Sequence, residues 1–472
     1  MAPGFGTDGV RGLANQELTP DVALALGRAA VEVLEAQRFV IGRDTRRSGP
    51  MLEAALVAGI CAAGADVELL GVVPTPTVAW ASARSAVPGA MISASHNPFA
   101  DNGIKLFAPG GIKLPDNTEA RIEARYRELL DGPPSIAGPT GARVGTVTTV
   151  GTVTTVATVT TGNVTNDTAA TDGETGSWAD RWVAGVCASI APRRLDGLTV
   201  VLDCAHGAAF QLAPRVFRQL GAAVTVIGDQ PDGININAGY GSTDPARLVA
   251  AVVDRGADIG LAFDGDADRL IAVDETGAVV DGDRMLAILA VDRAERGRLA
   301  ANTVVVTVMT NLGFHLAMQR AGISVVSTAV GDRYVLQALD EQGLSLGGEQ
   351  SGHVICRDLA TTGDGVLTGV QLLDVVARSP QSLSKLAADS MTTVPQILRN
   401  IRLPRRDDQL VERLAAEVAA VEQVLGSDGR VLVRASGTEP LLRIMVEHLD
   451  PRVAELSCDR LVAAAQQLAA PD

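Results

Sequence analysis

The sequence predicts an α/β protein with four domains around a central cleft, three of them related α/β domains and the last a smaller α+β domain. Three observations predict this architecture. The chain has 472 residues, more than one hydrophobic core usually spans. A pattern of apolar run, polar loop, amphipathic stretch and second apolar run occurs three times. The C-terminal part has a different pattern.

The three copies share the same order of features along the chain. They run from RFVIGRDTRRSG to AAGADVELLG, from LTVVLDCAHGAAF to LGAAVTVIGD, and through NTVVVTVMTNLGFHLAMQRAGISVVS. Continuous apolar runs suit strands covered on both faces, and a helix between two of them implies a right-handed parallel crossover. Gly64, Gly221 and Gly322 each stand between helix and second strand, which favours duplication over chance recurrence.

The remaining segments complete the predicted domain map. The tail predicts a helix from about Asp407 to Leu425, two strand-like runs around a turn in GRVLVRASGTEPLLRIMVEH, and a final helix, which indicates an α+β domain. We predict domains over 1–140 (serine loop), 177–281 (acidic loop), 282–391 (sugar loop) and 392–472 (phosphate loop), with an insertion over 141–176.

The insertion is rich in threonine and valine. Its valines recur every third residue, at 144, 147, 150, 153, 156 and 159, which matches neither the strand period nor the helix period. Because no buried face can be built from this pattern, we predict an exposed and poorly ordered segment. A β-ribbon is the alternative, given the threonine and valine content.

Composition and charge restrict the function. A formal net charge of -15 disfavours nucleic acid and anionic membranes as partners, so a phosphorylated ligand would need a locally basic pocket.

The cysteines lack metal-site or disulfide spacing, so we expect reduced and mostly buried thiols. No signal-type start and no membrane-length apolar run occurs, and we predict a cytoplasmic protein. The oligomeric state stays open, a homodimer included. The cysteines are Cys61, Cys187, Cys204, Cys356 and Cys458.

Ser95 and His96 lie in a predicted ligand-binding loop. They follow the strand-like run GAMIS and lie among the turn-forming residues of ASHNPFADNG. Open α/β sheets bind ligands at the carboxyl ends of their strands, so we expect an accessible hydroxyl beside a group that can carry a proton. For an isolated Ser-His pair, a serine that caps a helix is the alternative.

An acidic loop follows another buried strand. ADIGLAFDGDADRL predicts a core strand that delivers Asp264, Asp266 and Asp268 to one loop, where alternating carboxylates can converge on a hard cation. Three carboxylates this close would repel one another, so a divalent ion explains them better than the alternative, a solvated acidic turn.

Two further loops contain groups that bind sugars and phosphates. LSLGGEQSGHVI predicts a strand and a glycine turn followed by Glu349, Ser351 and His353, which can hydrogen bond several hydroxyls. VRASGTEPLLR combines backbone N–H groups, hydroxyls and two guanidiniums, as a phosphate cradle requires. Its polar members are Arg434, Ser436, Gly437, Thr438 and Arg443. Since the four loops fall one to a domain, we expect a single site where the domains converge.

Taken together, the motifs resemble those of the α-D-phosphohexomutase superfamily. The resemblance rests on FGTDGVRG, GRDTRRSG, ISASHNP, DGDADR, VGDRYV, GGEQSGH and RASGTEPLLRIMVE, and it covers nearly the whole chain outside the insertion. Within the superfamily, GGEQSGH is similar to the motif of members that act on glucosamine phosphates. The resemblance implies conversion of glucosamine 6-phosphate to glucosamine 1-phosphate, on the route to UDP-N-acetylglucosamine and peptidoglycan.

The resemblance also implies roles for individual residues. Ser95 matches the serine that is phosphorylated in the active form, and it would complete an Mg²⁺ shell with the three aspartates. Arg11, Lys105 and His353 match residues near the transferring phosphoryl group or assisting proton transfer, and Arg269 lies near the same group. Glu349 and Ser351 would hold sugar hydroxyls. The phosphate that is not reacting would be bound by Arg434, Ser436, Gly437, Thr438 and Arg443.

Two departures and three alternatives accompany this interpretation. The insertion replaces a connection that is short in other members, and Ala329 stands where many have a basic residue.

The first alternative function is that of a phosphoglucomutase or phosphomannomutase, which would share the chemistry. An aspartyl-nucleophile phosphatase would carry the phosphoryl group on Asp264 and leave the other loops without a role. A sugar-phosphate binding protein without activity is disfavoured by the intact Ser95 and aspartates.

Overall fold

The computed structural model contains four successive units, each built on its own β-sheet. It describes residues 3–6, 9–132, 143–149, 176–403, 407, 409–435 and 441–469. Helices pack on the sheets, and in the first three units the paired strands of each repeat run parallel. The predicted fold class, three related α/β units and a smaller α+β unit, is confirmed.

The first unit has an eight-stranded sheet in its described residues, in the order β1-β2-β6-β5-β3-β4-β8 with β7 beside β6. Strand β5 is buried throughout, and its carboxyl end leads into the serine loop. The elements are β1 Phe5–Gly6, β2 Gly9–Leu13, α1 Pro20–Leu34, β3 Arg38–Arg43, α2 Gly49–Ala62, β4 Asp66–Val72, α3 Thr75–Ser85, β5 Gly89–Ile92, β6 Asp101–Ala108, β7 Ile112–Lys113, α4 Asp116–Asp131 and β8 Val147–Thr149.

Strand β8 corrects part of the prediction for the insertion. Val147–Thr149 pairs in parallel with β4, and Thr146 donates a backbone hydrogen bond to the carboxylate of Asp66. The start of the predicted insertion therefore belongs to the first sheet, because an edge strand needs backbone partners but no buried face. Val147 is accordingly 49% exposed. Residues 150–175 lie outside the described part of the chain, and the prediction of poor order falls there.

The second unit has a five-stranded sheet in the order β10-β9-β11-β12-β13. Strand β11 is fully buried and ends at the acidic loop. The elements are α5 Trp178–Ala188, β9 Thr199–Asp203, α6 Leu212–Gln219, β10 Ala223–Ile227, α7 Ala246–Arg255, β11 Ile259–Phe263, β12 Leu270–Asp274 and β13 Val279–Val280.

The third unit has a four-stranded sheet in the order β15-β14-β16-β17. Its β16–β17 hairpin carries the predicted sugar loop at its turn. The elements are α8 Gly282–Glu295, β14 Thr303–Thr307, α9 Leu312–Arg320, β15 Ser324–Thr328, α10 Asp332–Gln342, β16 Leu346–Gly348, β17 Val354–Cys356, α11 Gly365–Arg378 and α12 Leu383–Ser390.

The fourth unit is an antiparallel sheet of order β18-β20-β19 covered by helices. Its first strand was not predicted from the sequence, because the run QILRNIR mixes exposed charges with few apolar residues. The elements are β18 Gln396–Arg402, α13 Leu410–Arg413, α14 Ala415–Leu425, β19 Gly429–Ala435, β20 Leu441–His448 and α15 Pro451–Ala469.

The repeat glycines occupy equivalent positions. Gly64, Gly221 and Gly322 have φ values of +95°, +98° and +69°, just after α2, α6 and α9. This left-handed conformation ends a helix at little cost only when the residue lacks a Cβ. The structure thus explains why all three copies place glycine before their second strand.

The units are joined by a shared core and by buried polar contacts. One hydrophobic cluster extends from α3 of the first unit through the second and third units. Arg333 of the third unit bonds Glu119 of the first at 2.7 Å, and Asn311 of the third unit bonds Glu447 of the fourth at 2.9 Å.

All five cysteines are buried free thiols, as predicted. Within the described residues, no helix has the length and apolar character needed to cross a membrane.

Candidate active site

Ser95 lies at the carboxyl end of β5 in a constrained turn. The expected accessible hydroxyl is not observed: Ser95 is 1% exposed, because its Oγ packs against the acidic loop and bonds Asp264. Its φ is +51°, a left-handed conformation that is unfavourable for a residue with a side chain. Its N–H donates to Ser93 Oγ at 3.0 Å, and its carbonyl accepts from Arg46 Nη2 at 2.9 Å. Contacts on both sides of the residue therefore hold the strained backbone.

Arg46 organises the whole serine loop. Its guanidinium is buried and forms an ion pair with Asp44 at 2.8 Å. Burial raises the pKa of Asp44, although Arg46 and Ser93 act in the opposite direction. The guanidinium also donates to four loop carbonyls, those of Ser95, Asn97, Pro98 and Asp101. Its motif, GRDTRRSG, supported the resemblance, but no role for Arg46 was predicted from it.

The acidic triplet converges as predicted and meets the serine. Asp264, Asp266 and Asp268 are buried, with one ligand oxygen from each within 4.8 Å of the others. Ser95 Oγ donates to Asp264 Oδ2 at 2.5 Å. Thr75 of α3 donates to Asp266 Oδ2 at 2.6 Å, a contact that was not predicted because nothing in PTPTVAW signals a ligand site.

The electrostatics of the triplet fit a divalent cation. Burial raises the pKa of Asp264 well above its ordinary value, and the nearby Asp268 and Asp266 raise it further. Among the described residues, the buried Asp266 Oδ1 has no hydrogen-bond partner. A hard cation bound by carboxylate oxygens would remove both unfavourable features.

Basic groups surround the serine and the triplet. Lys105, 5% exposed on β6, lies with Nζ 3.3 Å from Asp268 Oδ2, and Arg269 Nε lies 3.8 Å from Asp268 Oδ1. His96 Nδ1 is 3.3 Å from Ser95 Oγ. Burial lowers the pKa of His96, helped by the charges of Arg269 and Arg11. The structure therefore places Arg11, His96, Lys105 and Arg269 beside the serine and acidic loops.

The predicted sugar loop lies against the acidic loop. The carbonyl of Gly352, at the turn between β16 and β17, accepts from the N–H of Leu270 at 3.0 Å. Glu349 Oε1 accepts from the N–H of Gly331 at 3.0 Å, which joins the GGEQSGH and VGDRYV motifs. His353 is 3% exposed, and its Nε2 has no partner among the described residues. Ser351 is exposed.

The predicted phosphate clamp is described only in part. Arg434 on β19 and Arg443 on β20 face each other across the ladder. Burial lowers the pKa of Arg434, and the charge of Arg443 lowers it further. Ser436, Gly437 and Thr438 lie outside the described residues. Within the described parts of the chain, no hydrogen bond or ion pair joins either arginine to the other three loops, so their approach to Ser95 stays a prediction.

Family models match nearly all of this architecture. They are phosphoglucomutase/phosphomannomutase alpha/beta/alpha domain I over residues 2–131, domain II over 178–277, domain III over 281–394 and the C-terminal domain over 398–464. The serine, acidic, sugar and phosphate loops fall in these four matches in that order. The same order was expected from the motifs.

Individual relatives and solved structures agree with the family models. The chain is 52% identical to a phosphoglucosamine mutase of Streptomyces avermitilis over 470 residues, 98% of each chain, and 51% identical to one of Rhodococcus erythropolis, covering 97% of this chain and 98% of the relative. It is similar to the crystal structure of a phosphoglucomutase/phosphomannomutase family protein from Burkholderia thailandensis, with TM-score 0.79, 25% identity and coverage of 100% and 99%. The chain therefore belongs to the phosphoglucomutase/phosphomannomutase family, among its phosphoglucosamine mutases.

Proposed function

We propose that the chain interconverts glucosamine 6-phosphate and glucosamine 1-phosphate through a phosphorylated Ser95 and a 1,6-bisphosphate, which supplies UDP-N-acetylglucosamine synthesis. The observation that carries the proposal is the 2.5 Å contact between Ser95 Oγ and Asp264 Oδ2 inside the buried triplet. A phosphoryl group on this hydroxyl would lie beside a cation held by the triplet. Identities of 52% and 51% to phosphoglucosamine mutases support the amino sugar as substrate.

The reaction consists of two phosphoryl transfers. In the first, the bond between phosphorus and Ser95 Oγ breaks, a bond forms between phosphorus and O1 of the 6-phosphosugar, and the proton of that hydroxyl passes to Ser95 Oγ. The bisphosphate then turns over, its 6-phosphoryl group returns to Ser95 Oγ, and O6 regains a proton. Such in-line transfer depends mainly on positioning and charge stabilisation. Lys105 and Arg269 supply positive charge beside Asp268.

Proton transfer needs a group close to Ser95 Oγ. His96 Nδ1 lies 3.3 Å away, and its lowered pKa keeps the imidazole neutral at neutral pH, so it can accept a proton. His353 is the second candidate, since its buried Nε2 has no hydrogen-bond partner among the described residues. Lys105 contributes charge compensation, and Arg11 adds to the positive field around His96.

Mg²⁺ is the proposed cation. Asp264, Asp266 and Asp268 would hold it with three carboxylate oxygens, and a phosphoryl oxygen on Ser95 would complete the shell, since Mg²⁺ prefers carboxylate and phosphate ligands. When bound, the ion would neutralise part of the phosphoryl charge. A structure similar in fold, that of Aspergillus fumigatus N-acetylphosphoglucosamine mutase, is a complex with GlcNAc-6P and magnesium; its TM-score is 0.68, at 17% identity.

Substrate recognition is assigned to the third and fourth loops. Glu349 and Ser351 would hold the sugar hydroxyls, because the hairpin that carries them lies against the acidic loop. The phosphate that is not reacting would be bound by Arg434, Ser436, Gly437, Thr438 and Arg443. Because the sugar turns over between the two transfers, this single cradle must accept either end of it.

Replacing the proposed phosphoryl carrier tests this function. Ser95→Ala should lower turnover of glucosamine 6-phosphate by more than about a thousandfold, since the two transfers act as one unit with the serine, while calorimetry still detects sugar-phosphate binding. Peptide mass spectrometry of the wild-type protein should find phosphate on Ser95.

Two outcomes would contradict the proposal. Phosphate recovered on the peptide of Asp264 instead of Ser95 would indicate a phosphatase-type mechanism. Turnover of glucose or mannose phosphates at least as fast as glucosamine 6-phosphate would refute the choice of sugar. Sugars should be compared at equal concentration with the same bisphosphate activator, so that a difference reports on the sugar alone.

A further inference from the structure

Asn237 links the serine loop of the first unit to the acidic loop of the second. It lies in the connection between β10 and α7, where no functional motif was predicted. Its amide nitrogen Nδ2 is 2.9 Å from the carbonyl oxygen of Ser95 and 3.0 Å from that of Asn97. One side chain of the second unit therefore donates to two carbonyls of the loop that carries the proposed phosphoryl group.

The same amide packs on the acidic loop. A Cβ added to Gly265, which lies between two aspartates of the triplet, would come 2.6 Å from Ser95 O and 2.9 Å from Asn237 Nδ2. The amide of Asn237, the carbonyl of Ser95 and the backbone of Gly265 are thus in mutual contact. Asn237 therefore contacts both the loop that carries Ser95 and the loop that carries the triplet.

Ser95 needs such support because its conformation is strained. A residue with a side chain at φ +51° stays there only when its surroundings determine the conformation. Ser93 and Arg46 provide support from within the first unit. Asn237 provides it from the second unit, which is the unit that holds the triplet.

The backbone of Asn237 fixes the position of its amide. Asn237 has φ +59°, a conformation that asparagine tolerates better than most residues, and its N–H donates to Ala205 O at 2.9 Å. The side chain therefore projects from a defined turn rather than from a freely moving loop.

We propose that Asn237 is a positioning residue for phosphoryl transfer, one that holds Ser95 at the triplet by tying the serine loop to the acidic loop. The inference rests on the proposed function of Ser95. Within the described residues, the side chain of Asn237 bonds only backbone carbonyls of the serine loop, so loss of its amide should slow the transfer to and from Ser95 and leave sugar-phosphate affinity nearly unchanged.

Two substitutions test the role of the amide. Asn237→Gly keeps the φ value accessible and removes the donor, and we expect kcat to fall about tenfold, because two partly buried hydrogen bonds to the serine loop are lost. Asn237→Asp places a carboxylate against two carbonyl oxygens, and a larger fall is expected. In both variants KM for glucosamine 6-phosphate should stay within about twofold.

Asn235→Ala is the matched control. Asn235 lies in the same connection, but its side chain bonds within it, to Gln230 O at 2.9 Å and Asp232 N at 3.0 Å. This variant should keep kcat within about twofold, the ordinary effect of a change that does not touch the site. If Asn235→Ala and Asn237→Gly lower kcat equally, the effect comes from the connection and the positioning role is wrong.

Hydrogen exchange gives a readout that does not depend on the reaction. Amides of residues 95–101 should exchange faster in Asn237→Gly than in the wild-type protein, while those of the C-terminal unit stay unchanged. Equal exchange of 95–101 in the two proteins would overturn the inference. A wild-type protein without mutase activity would overturn the proposed function instead, and the exchange comparison would still decide whether Asn237 holds the loop.

Discussion

At the scale of single residues, the site concentrates unfavourable features that a ligand would relieve. Ser95 has a strained backbone, burial raises the pKa of Asp264, and Asp266 Oδ1 is buried without a partner among the described residues. Strain and shifted pKa values of this kind cluster at functional sites. Their meeting at one hydroxyl supports the proposal that this serine, among many in the chain, carries the phosphoryl group.

Gly265 offers a test of how closely these residues must pack. In Gly265→Ala the new methyl group would meet Ser95 O at 2.6 Å and push the serine loop from the triplet. We expect kcat to fall about tenfold to a hundredfold, as for displacements of about an ångström in other enzymes. In the control, Gly185→Ala, the methyl group would meet Trp80 at an ordinary 3.5 Å. Similar kcat values for both variants would contradict the expected packing constraint.

At the scale of elements, β19 and β20 hold two positive charges opposite each other. Arg434 pairs with Arg443 across the ladder, and like charges in this arrangement destabilise a sheet by roughly 0.2–1 kcal/mol. The pKa of Arg434 is lowered by burial and by its neighbour. An unfavourable pair on two adjacent antiparallel strands is consistent with binding of an anion such as a phosphate group.

Arg443→Gln should therefore change stability and function in opposite directions. Removing one of the two charges should leave stability equal or up to about 1 kcal/mol higher, whereas KM for glucosamine 6-phosphate should rise at least about tenfold. Thermal melts and steady-state kinetics give the two quantities. The control is Arg399→Gln on β18, an exposed arginine opposite Ile444. An unchanged KM in Arg443→Gln would argue against the phosphate clamp.

At the scale of the whole molecule, buried carboxylates lie where units meet. Asp364 begins α11 of the third unit, accepts from the N–H of Leu367 at 2.9 Å, and bonds the side chain of Trp182 from the second unit. Burial raises its pKa to about 7, against an ordinary value of 3.8. The folded protein therefore binds a proton at this group under conditions in which the unfolded chain has released it.

This linkage predicts the direction of a pH effect. Because the folded-state pKa is the higher one, the stability that Asp364 contributes is present at low pH and is lost as pH rises through about 7. The Tm of Asp364→Asn minus the Tm of the wild-type protein should therefore increase by a few degrees as the pH rises from 5 to 8. Exposed Asp254→Asn should show no such trend. A Tm difference independent of pH for Asp364→Asn would show that the carboxyl does not titrate in this range.

The sequence by itself determined the fold class and the chemistry of the loops. Apolar runs that suit strands buried on both faces, each followed by helix and glycine, predict parallel α/β units. The three glycines that mark this repeat in the sequence all have positive φ in the structure. Asp264, Asp266 and Asp268 were identifiable because alternation along one loop brings carboxylates together locally. Such signals depend on neighbours in the chain, which the sequence contains.

Only the tertiary structure decided which distant groups support those loops. Three of the supporting contacts join residues about 50 to 190 positions apart in the chain, those made by Arg46, Thr75 and Asn237. No local pattern distinguishes a threonine or asparagine that makes such a contact from one that faces solvent. The pairing of Val147–Thr149 with β4 was hidden for the same reason, since an edge strand needs only a free backbone beside it. The sequence specifies the reactive groups locally, whereas their mutual distances follow from packing between units.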